Sequence, residues 1–375
     1  MIAYNEDGSL RKISNIYDIH GMGNPDCTLM DRFYKYSFNK DRVLNDNFGL
    51  LNKYRSIDFA NREDKFSIVA LKQPCFDTFE YSVDKRINEL ANRFDHLTVL
   101  WSGGCDSCTI VASLIKNEIN RAKYTIVFND LSIEESPQFY TFMQQQNLPL
   151  HNVGHIPIYE YLNNAQDDTV YVNGCPEQIF QYPIACGCAL PHYWKHWKHG
   201  IVNNLAEKGV TLSSSEKDEL IGIFEEYLKE LTLDYDVAYT IDLLWLVCFA
   251  GMWNYTKTMF KSHLQPTAKY GQSCVNFFDT FDFAHWALQN SLNHNPYDNW
   301  FEYGGVAYRK PEKRYIQQVF KNEELTNKIK VGSQTREHSA FGVGIDHISV
   351  YHDTGAIVFP YNPDFIPTIH ELCKK

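Results

Sequence analysis

The sequence predicts an α/β fold: a parallel sheet with helices on both faces, a mainly helical C-terminal half, and small β elements at both ends of the chain. Three observations predict it. Residues 97–101 are a short apolar run that passes through Ser102-Gly103-Gly104 into a second apolar run ending at Ile115. Strand, tight polar turn and helix is the reading of that pattern. Residues 124–128 repeat the short run and stop at Asn129-Asp130, with helical spacing over 134–146 and a third strand opening at His151-Asn152-Val153. Residues 170–173 then give a further strand, a turn at Gly174 and an acidic residue before an apolar helix. Unbroken apolar strands are those buried on both faces, and their alternation with helices makes the sheet parallel. Ligands collect at the carboxyl ends of such strands. That puts the Ser102 loop and the Asn129-Asp130 turn on one rim.

The other elements follow in order. Residues 1–85 form a small β-rich N-terminal region with few regular patterns, in which 66–71 read as a strand. Residues 81–93 read as a helix, because Ile87, Leu90, Ala91 and Phe94 recur at helical spacing with charges between them. The α/β domain is assigned to 86–200, and a composition shift near residue 200 opens a helical part over 201–330. There, 213–231 begin with Ser-Ser-Ser-Glu-Lys-Asp-Glu, a helix-capping sequence, and continue with an apolar face of Leu220, Ile223, Phe224, Tyr227, Leu228 and Leu231. Residues 236–260 and 285–292 read as further helices. The last part, 331–375, contains a hairpin over 348–359 turning at Asp353-Thr354-Gly355.

Composition narrows the function classes. A chain of 375 residues with 15% aromatics buries a large core, and its length suggests about two domains. A formal charge of -11 argues against a general nucleic-acid binder, which needs a basic face. Ten cysteines without a regular framework, and a first stretch Met-Ile-Ala-Tyr-Asn-Glu without a basic or apolar leader, point to reduced thiols and a cytoplasmic protein. The longest apolar run, 243–253, is too short to span a bilayer.

The chemistry is concentrated in Ser102-Gly103-Gly104-Cys105-Asp106-Ser107. Two glycines let backbone N–H groups approach a ligand, and the helix start that follows offers unpaired donors and a positive partial charge. Both serines can donate to phosphate oxygens. Asp106 beside phosphates implies a bridging Mg²⁺. No Gly-Lys-Ser/Thr follows, which removes kinase and GTPase readings of the Walker type.

This stretch resembles the PP-loop, SGGxDS, of the N-type ATP pyrophosphatases, enzymes that cleave ATP between its α and β phosphates and adenylate an oxygen of the substrate. Two further stretches are similar to the synthetase domain of the asparagine-synthetase and β-lactam-synthetase family, and the likeness runs over about 86–330. Residues 170–182 resemble SGxGxDExFxGY: Glu177 takes the place of the aspartate that helps hold Mg²⁺, Gln178 that of a glutamate, and Gly174 that of an acidic site. Residues 308–320 resemble K-x-x-K-x-x-L-R-x-x-F, with Lys313 on the catalytic lysine, Gln317 on the arginine, and Lys310 as a neighbour able to take the lysine's part. Phe278-Asp279 matches the end of R-x-P-F-L-D.

The resemblance implies an ATP-dependent amidoligase. ATP would lie on Leu100, Ser102, Gly103, Gly104, Asp106, Ser107, Phe128 and Gly174, with Mg²⁺ on Asp106 and Glu177. A substrate oxygen would attack the α-phosphate, and an amine would then attack the acyl-adenylate with Lys313 stabilising the transition state. Position 2 is Ile rather than the catalytic Cys of glutamine-hydrolysing relatives, and only about 85 residues precede the region that carries the likeness. The nitrogen is therefore expected from free ammonia, a separate ammonia-donating subunit or an amine on the substrate.

Two rival readings carry over. One is a PP-loop enzyme of tRNA or nucleobase modification, with a modified base as substrate, Cys105 or Cys108 handling sulfur, and 191–199 touching nucleic acid. The other is a nucleotide-binding regulator that has lost its acids at Gly174 and Gln178. On a helix His192, His196 and His199 would share a face and could hold a metal or an anion, but no Cys or acid completes a zinc set, and a surface helix with stacked aromatics is the favoured reading. The Cys105–Cys108 spacing admits an iron–sulfur ligand pair, against the simpler reading of buried inert thiols.

Overall fold

The computed structural model describes residues 2–4, 10–12, 29–30, 33, 74–156, 158–163, 170–174, 196–207, 210–231, 237, 240, 243, 246–247, 249, 274–291, 310–326, 329–330, 347–352 and 355–360. The chain divides into two compact units. One takes in Met1–Cys75, Glu177–Ser262 and Ala287–Leu292, the other Phe76–Pro176, His263–Trp286 and Asn293–Lys375.

The first unit holds an antiparallel ribbon of β1 (Ile2–Tyr4) and β2 (Leu10–Lys12) and the helices Trp197–Glu207 and Ser214–Leu231. The longer helix starts where the Ser-rich cap predicts, with the Glu216 carboxylate accepting from the Ser213 backbone N–H at 2.7 Å. Its apolar face is buried: Leu220 and Phe224 are fully covered, and Phe224 meets Phe33 edge-on at 4.8 Å. The strand read at 66–71 lies outside the described residues.

The second unit is built on five strands: β3 (Leu97–Leu100), β4 (Tyr124–Phe128), β5 (Leu150–Asn152), β6 (Val170–Asn173) and β7 (Cys274–Asn276). All pair in parallel, in the order β5-β4-β3-β6-β7. The α/β expectation is met, and β3 is the central strand. Leu97, Val99, Ile126 and Val172 are fully buried, as strands covered on both faces require.

Helix α1 (Phe79–Arg93) precedes β3, and α2 (Cys105–Lys116) follows its loop. Thr78 caps α1, accepting from the Tyr81 N–H at 3.1 Å. In α2, Cys105 and every residue from Ser107 to Leu114 is buried, so this helix is packed all round rather than on one stripe. Sequence periodicity predicts one helix over 134–146. The structure has two, α3 (Asp130–Glu135) and α4 (Pro137–Gln145), separated at Ser136. Pro137 has no N–H to continue the ladder and drives the preceding residue out of the helical region, where Ser136 has φ -147.

Helix α5 (Ile158–Asn163) leads towards β6, and α6 (Lys310–Phe320) packs along α2. A separate antiparallel sheet of β8 (Ile329–Lys330), β9 (His347–His352) and β10 (Gly355–Pro360) contains the expected hairpin plus one strand that the sequence does not announce. Among the described residues no helix is long and apolar enough to cross a membrane.

Candidate functional site

The carboxyl end of β3 runs straight into the loop. Trp101 is 2% exposed, its backbone N–H donates to the Val127 carbonyl at 2.9 Å, and its ring stacks on Phe139 and meets Phe128 edge-on. The chain then reverses at Gly103, whose φ is +77. A Cβ there would sit 2.6 Å from the Ser132 carbonyl oxygen and 2.9 Å from Glu135 Cβ. Glycine is thus required twice, by the backbone angle and by the lack of room.

Gly104 is the N-cap of α2, and no side chain caps that helix. The loop supplies its own partners. Ser107 Oγ accepts from the Ser102 N–H at 3.1 Å and donates to the Gly104 carbonyl at 3.0 Å. Ser102 Oγ lies 3.3 Å from Ser107 Oγ and accepts from the Gly104 N–H at 3.4 Å. Two hydroxyls and two backbone N–H groups therefore converge at the start of a 12-residue helix. That donor set, with the helix dipole behind it, suits an anion. Asp106 stands in the first helical turn, half-buried.

Gly174 leaves β6 against this helix start. A Cβ on it would lie 2.9 Å from Ile110 Cδ1 and 3.2 Å from both the Asp106 carbonyl carbon and the Ser107 nitrogen. The resemblance puts an acidic site here. A side chain here would have to push the end of Ile110 aside and press on the helix backbone, so the position is crowded for an acid.

Leu100 and Phe128 are buried at 4% and 1% exposure, and Phe128 is enclosed by Trp101 and Tyr140. They form the floor beneath the loop rather than an open ring face. Glu177, like all of 175–195, lies outside the described residues, as does the Lys310 side chain.

The structure gathers Ser102, Gly103, Gly104, Asp106, Ser107 and Gly174, and it does not bring Lys313 to them. Tyr315 of α6 reaches Asp84 beside Lys116 and Asn117, at the end of α2 opposite the loop. The last residue of α6, Phe320, packs on Phe139 at 5.9 Å, and Phe139 stacks on Trp101 at 6.0 Å. The end of α6 is therefore on the loop side and its beginning, with Lys313, on the far side of a helix about 18 Å long. Among the described residues no hydrogen bond or ion pair joins Lys313 to the loop. Gln317, set on the family arginine, donates to Thr326 Oγ1 at 3.3 Å.

Sequence reasoning missed the second wall of the loop. Asn129 caps α3, its Oδ1 accepting from the Ser132 N–H at 3.1 Å and from the Ser132 hydroxyl at 3.0 Å. This fixes the turn whose Ser132 carbonyl and fully buried Glu135 close over Gly103. The Asn-x-x-Ser spacing is the signal that could have found it. On the other side of β6, Arg86 donates to the Phe277 and Asn276 carbonyls at 3.2 and 3.4 Å, fixing the end of β7. Burial holds its guanidinium below the ordinary value, with Glu89 and Asp279 acting in the opposite sense. Asp279 thereby sits on the same rim, one strand beyond Gly174.

The histidine expectation changes. The helix begins at Trp197, and His196 precedes it with φ +62, so His196 is not on a helical face with His199. His192 lies outside the described residues. Among the described residues no group of three His, Cys, Asp or Glu side chains could hold a metal. Cys105 and Cys108 form no disulfide and are buried at 5% and 2% exposure. No protein-family model matches the chain, and no curated protein does.

Proposed function

We propose that the protein binds MgATP at the Ser102–Ser107 loop and transfers adenylate to a substrate carboxylate or carbonyl oxygen, releasing pyrophosphate, as the first half of an amide-forming reaction. One observation carries this reading: an SGGxDS sequence joins the central parallel strand to the uncapped N-terminus of α2. Phosphate oxygens would take the Gly104 N–H and the Ser102 and Ser107 hydroxyls, replacing the bonds these groups make to one another. Glycine at 103 and 174 lets the loop pack against Ser132 and Glu135 and the end of β6 against the helix start, which supports the placement of these donors.

The residues present fit a divalent cation, since Asp106 projects from the helix turn that would hold the phosphates. Asp106 would hold Mg²⁺, whose contribution when bound is to neutralise charge on the phosphates. Binding and orientation fall to this chain: the helix start and the loop donors fix the polyphosphate, and the enclosed floor of Leu100, Trp101 and Phe128 keeps water from beneath it. The substrate oxygen forms the new bond to the α-phosphorus as the bond to the leaving pyrophosphate breaks. An amine from ammonia, from a separate donor or from the substrate itself then displaces AMP.

A sulfur-transfer role sits poorly with this site, because a sulfur carrier must reach its substrate and both loop cysteines are buried. The test is incubation with MgATP and small carboxylates together with ammonia, resolving the nucleotide products. AMP and pyrophosphate support the proposal. ADP and phosphate, or no turnover with no MgATP binding, refute it.

A further inference from the structure

Resting on the reading of the loop as a phosphate cradle, we infer that Cys108 is a positioning residue whose thiol sets the direction of the Gly104 N–H. Three contacts lead there. The Cys108 thiol donates to the Gly103 carbonyl at 3.7 Å. The same sulfur accepts from the Trp101 indole N–H at 3.3 Å. The Gly104 N–H, the other end of the Gly103–Gly104 peptide, points at Ser102 Oγ at 3.4 Å.

A trans peptide is planar, with its C=O and N–H on opposite sides. Holding the carbonyl towards the helix therefore aims the N–H away from it, into the space where the hydroxyls converge. Without that hold, a peptide flanked by two glycines has little else to choose its orientation, because neither residue has a Cβ to forbid the flipped form. The Trp101 indole, itself fixed between Phe128 and Phe139, fixes the sulfur. A chain of contacts from the aromatic floor thus ends on one donor of the cradle. Cys108 touches no phosphate in this arrangement. Its 2% exposure and its two bonds explain why a thiol sits beside the loop without being a reactive one.

The sequence offers a direct probe of that peptide. It contains two Gly-Gly pairs, Gly103-Gly104 and Gly304-Gly305. Protein labelled with carbonyl-¹³C and amide-¹⁵N glycine therefore gives two carbonyl-to-amide correlations in NMR, and Gly104→Ala removes the one that matters. The comparison uses the full chain as wild type, Cys108→Ala and Cys108→Ser, with a melting curve for each. Alanine removes both bonds, whereas serine keeps a donor and an acceptor in a smaller, more polar side chain. The Gly103–Gly104 correlation should move in Cys108→Ala and return part of the way in Cys108→Ser. MgATP affinity should fall roughly threefold to tenfold in the alanine variant, the worth of one hydrogen bond, and recover in part with serine.

A role in packing alone predicts the opposite order, with the buried hydroxyl no better than alanine. Serine equal to or worse than alanine, or a correlation unmoved in Cys108→Ala, overturns the proposal. A wild-type protein that takes no MgATP would instead sink the functional reading, and the correlation would still decide whether Cys108 orients the peptide.

Discussion

The Tyr315 hydroxyl donates to Asp84 Oδ1 at 2.5 Å, joining α6 to α1 across 231 residues of sequence. The same carboxylate receives Lys116 at 2.6 Å and Asn117 at 2.9 Å, and the Lys116 ammonium lies 4.7 Å from the centre of the Tyr315 ring. One acid therefore ties α1, the end of α2 and α6 together. Burial first, then the hydrogen bond to Asp84, push the Tyr315 phenol well above its ordinary value.

The sign of the pH effect follows. The folded protein holds the phenolic proton more tightly than the unfolded chain. Its contribution is complete below the unfolded value near about 10 and is lost as pH rises above it. Urea unfolding between roughly pH 9 and 11 should show wild-type stability falling more steeply than that of Tyr315→Phe. At neutral pH the variant should be less stable by about 1–2 kcal/mol, since Asp84 keeps two other donors. Equal alkaline slopes would contradict the assignment.

Gly103→Ala and Gly174→Ala should separate stability from binding. At Gly103 the added methyl meets backbone at 2.6 Å in a left-handed conformation, so the variant should lose about 2–4 kcal/mol and MgATP binding with it. At Gly174 the shortest contact is the end of the flexible Ile110 side chain, so stability should fall by only about 1 kcal/mol. Its methyl still crowds the Ser107 nitrogen, and calorimetry should find MgATP affinity lowered by more than that stability loss would suggest.

Removing loop donors should act on nucleotide rather than on the fold. Ser102→Ala and Ser107→Ala should each weaken MgATP binding by roughly 5- to 20-fold, as loss of a hydrogen bond to a charged group does. Asp106→Asn should retain binding of metal-free ATP and lose the enhancement that Mg²⁺ gives. Titrations with and without Mg²⁺ read this directly, and an undiminished Mg²⁺ effect would remove Asp106 from the metal's shell.

Lys313→Ala should leave MgATP affinity within about twofold of wild type, because the beginning of α6 is carried at the far end of α2. A loss of tenfold or more would mean that α6 reaches the loop in the nucleotide-bound protein.

How far the sequence could be read depended on range. Local patterns located β3, the loop and α2 to within a residue or two, because an apolar run, two glycines and a second apolar run leave one arrangement. They also found the capped helix at Ser214–Leu231 and the β9–β10 hairpin. What was illegible is long-range. Strand β7 is three residues long and looks like a loop until Val275 is seen paired with Val172. The glycine that stands on the resemblance's acidic site, Gly174, packs against a helix that begins some seventy residues earlier, a closeness no local pattern records. Lys313 matches a motif on its own helix, yet its direction is set by Tyr315 meeting Asp84, which no motif records.

The pairing of β6 with β7 has a kinetic consequence. Glu177–Ser262 belongs to the other unit, so these two neighbouring strands are separated in sequence by a long stretch that, among the described residues, adds nothing to their own sheet. During synthesis the edge of β6 stays bare until Asn276 has emerged, and the aromatic contacts of Phe79 with Phe278 and Phe283 cannot form before then. Nascent protein in this window exposes an open strand and an uncovered apolar helix face, the features most prone to association with other chains. Premature termination anywhere between the two strands should therefore yield aggregates rather than a smaller working domain.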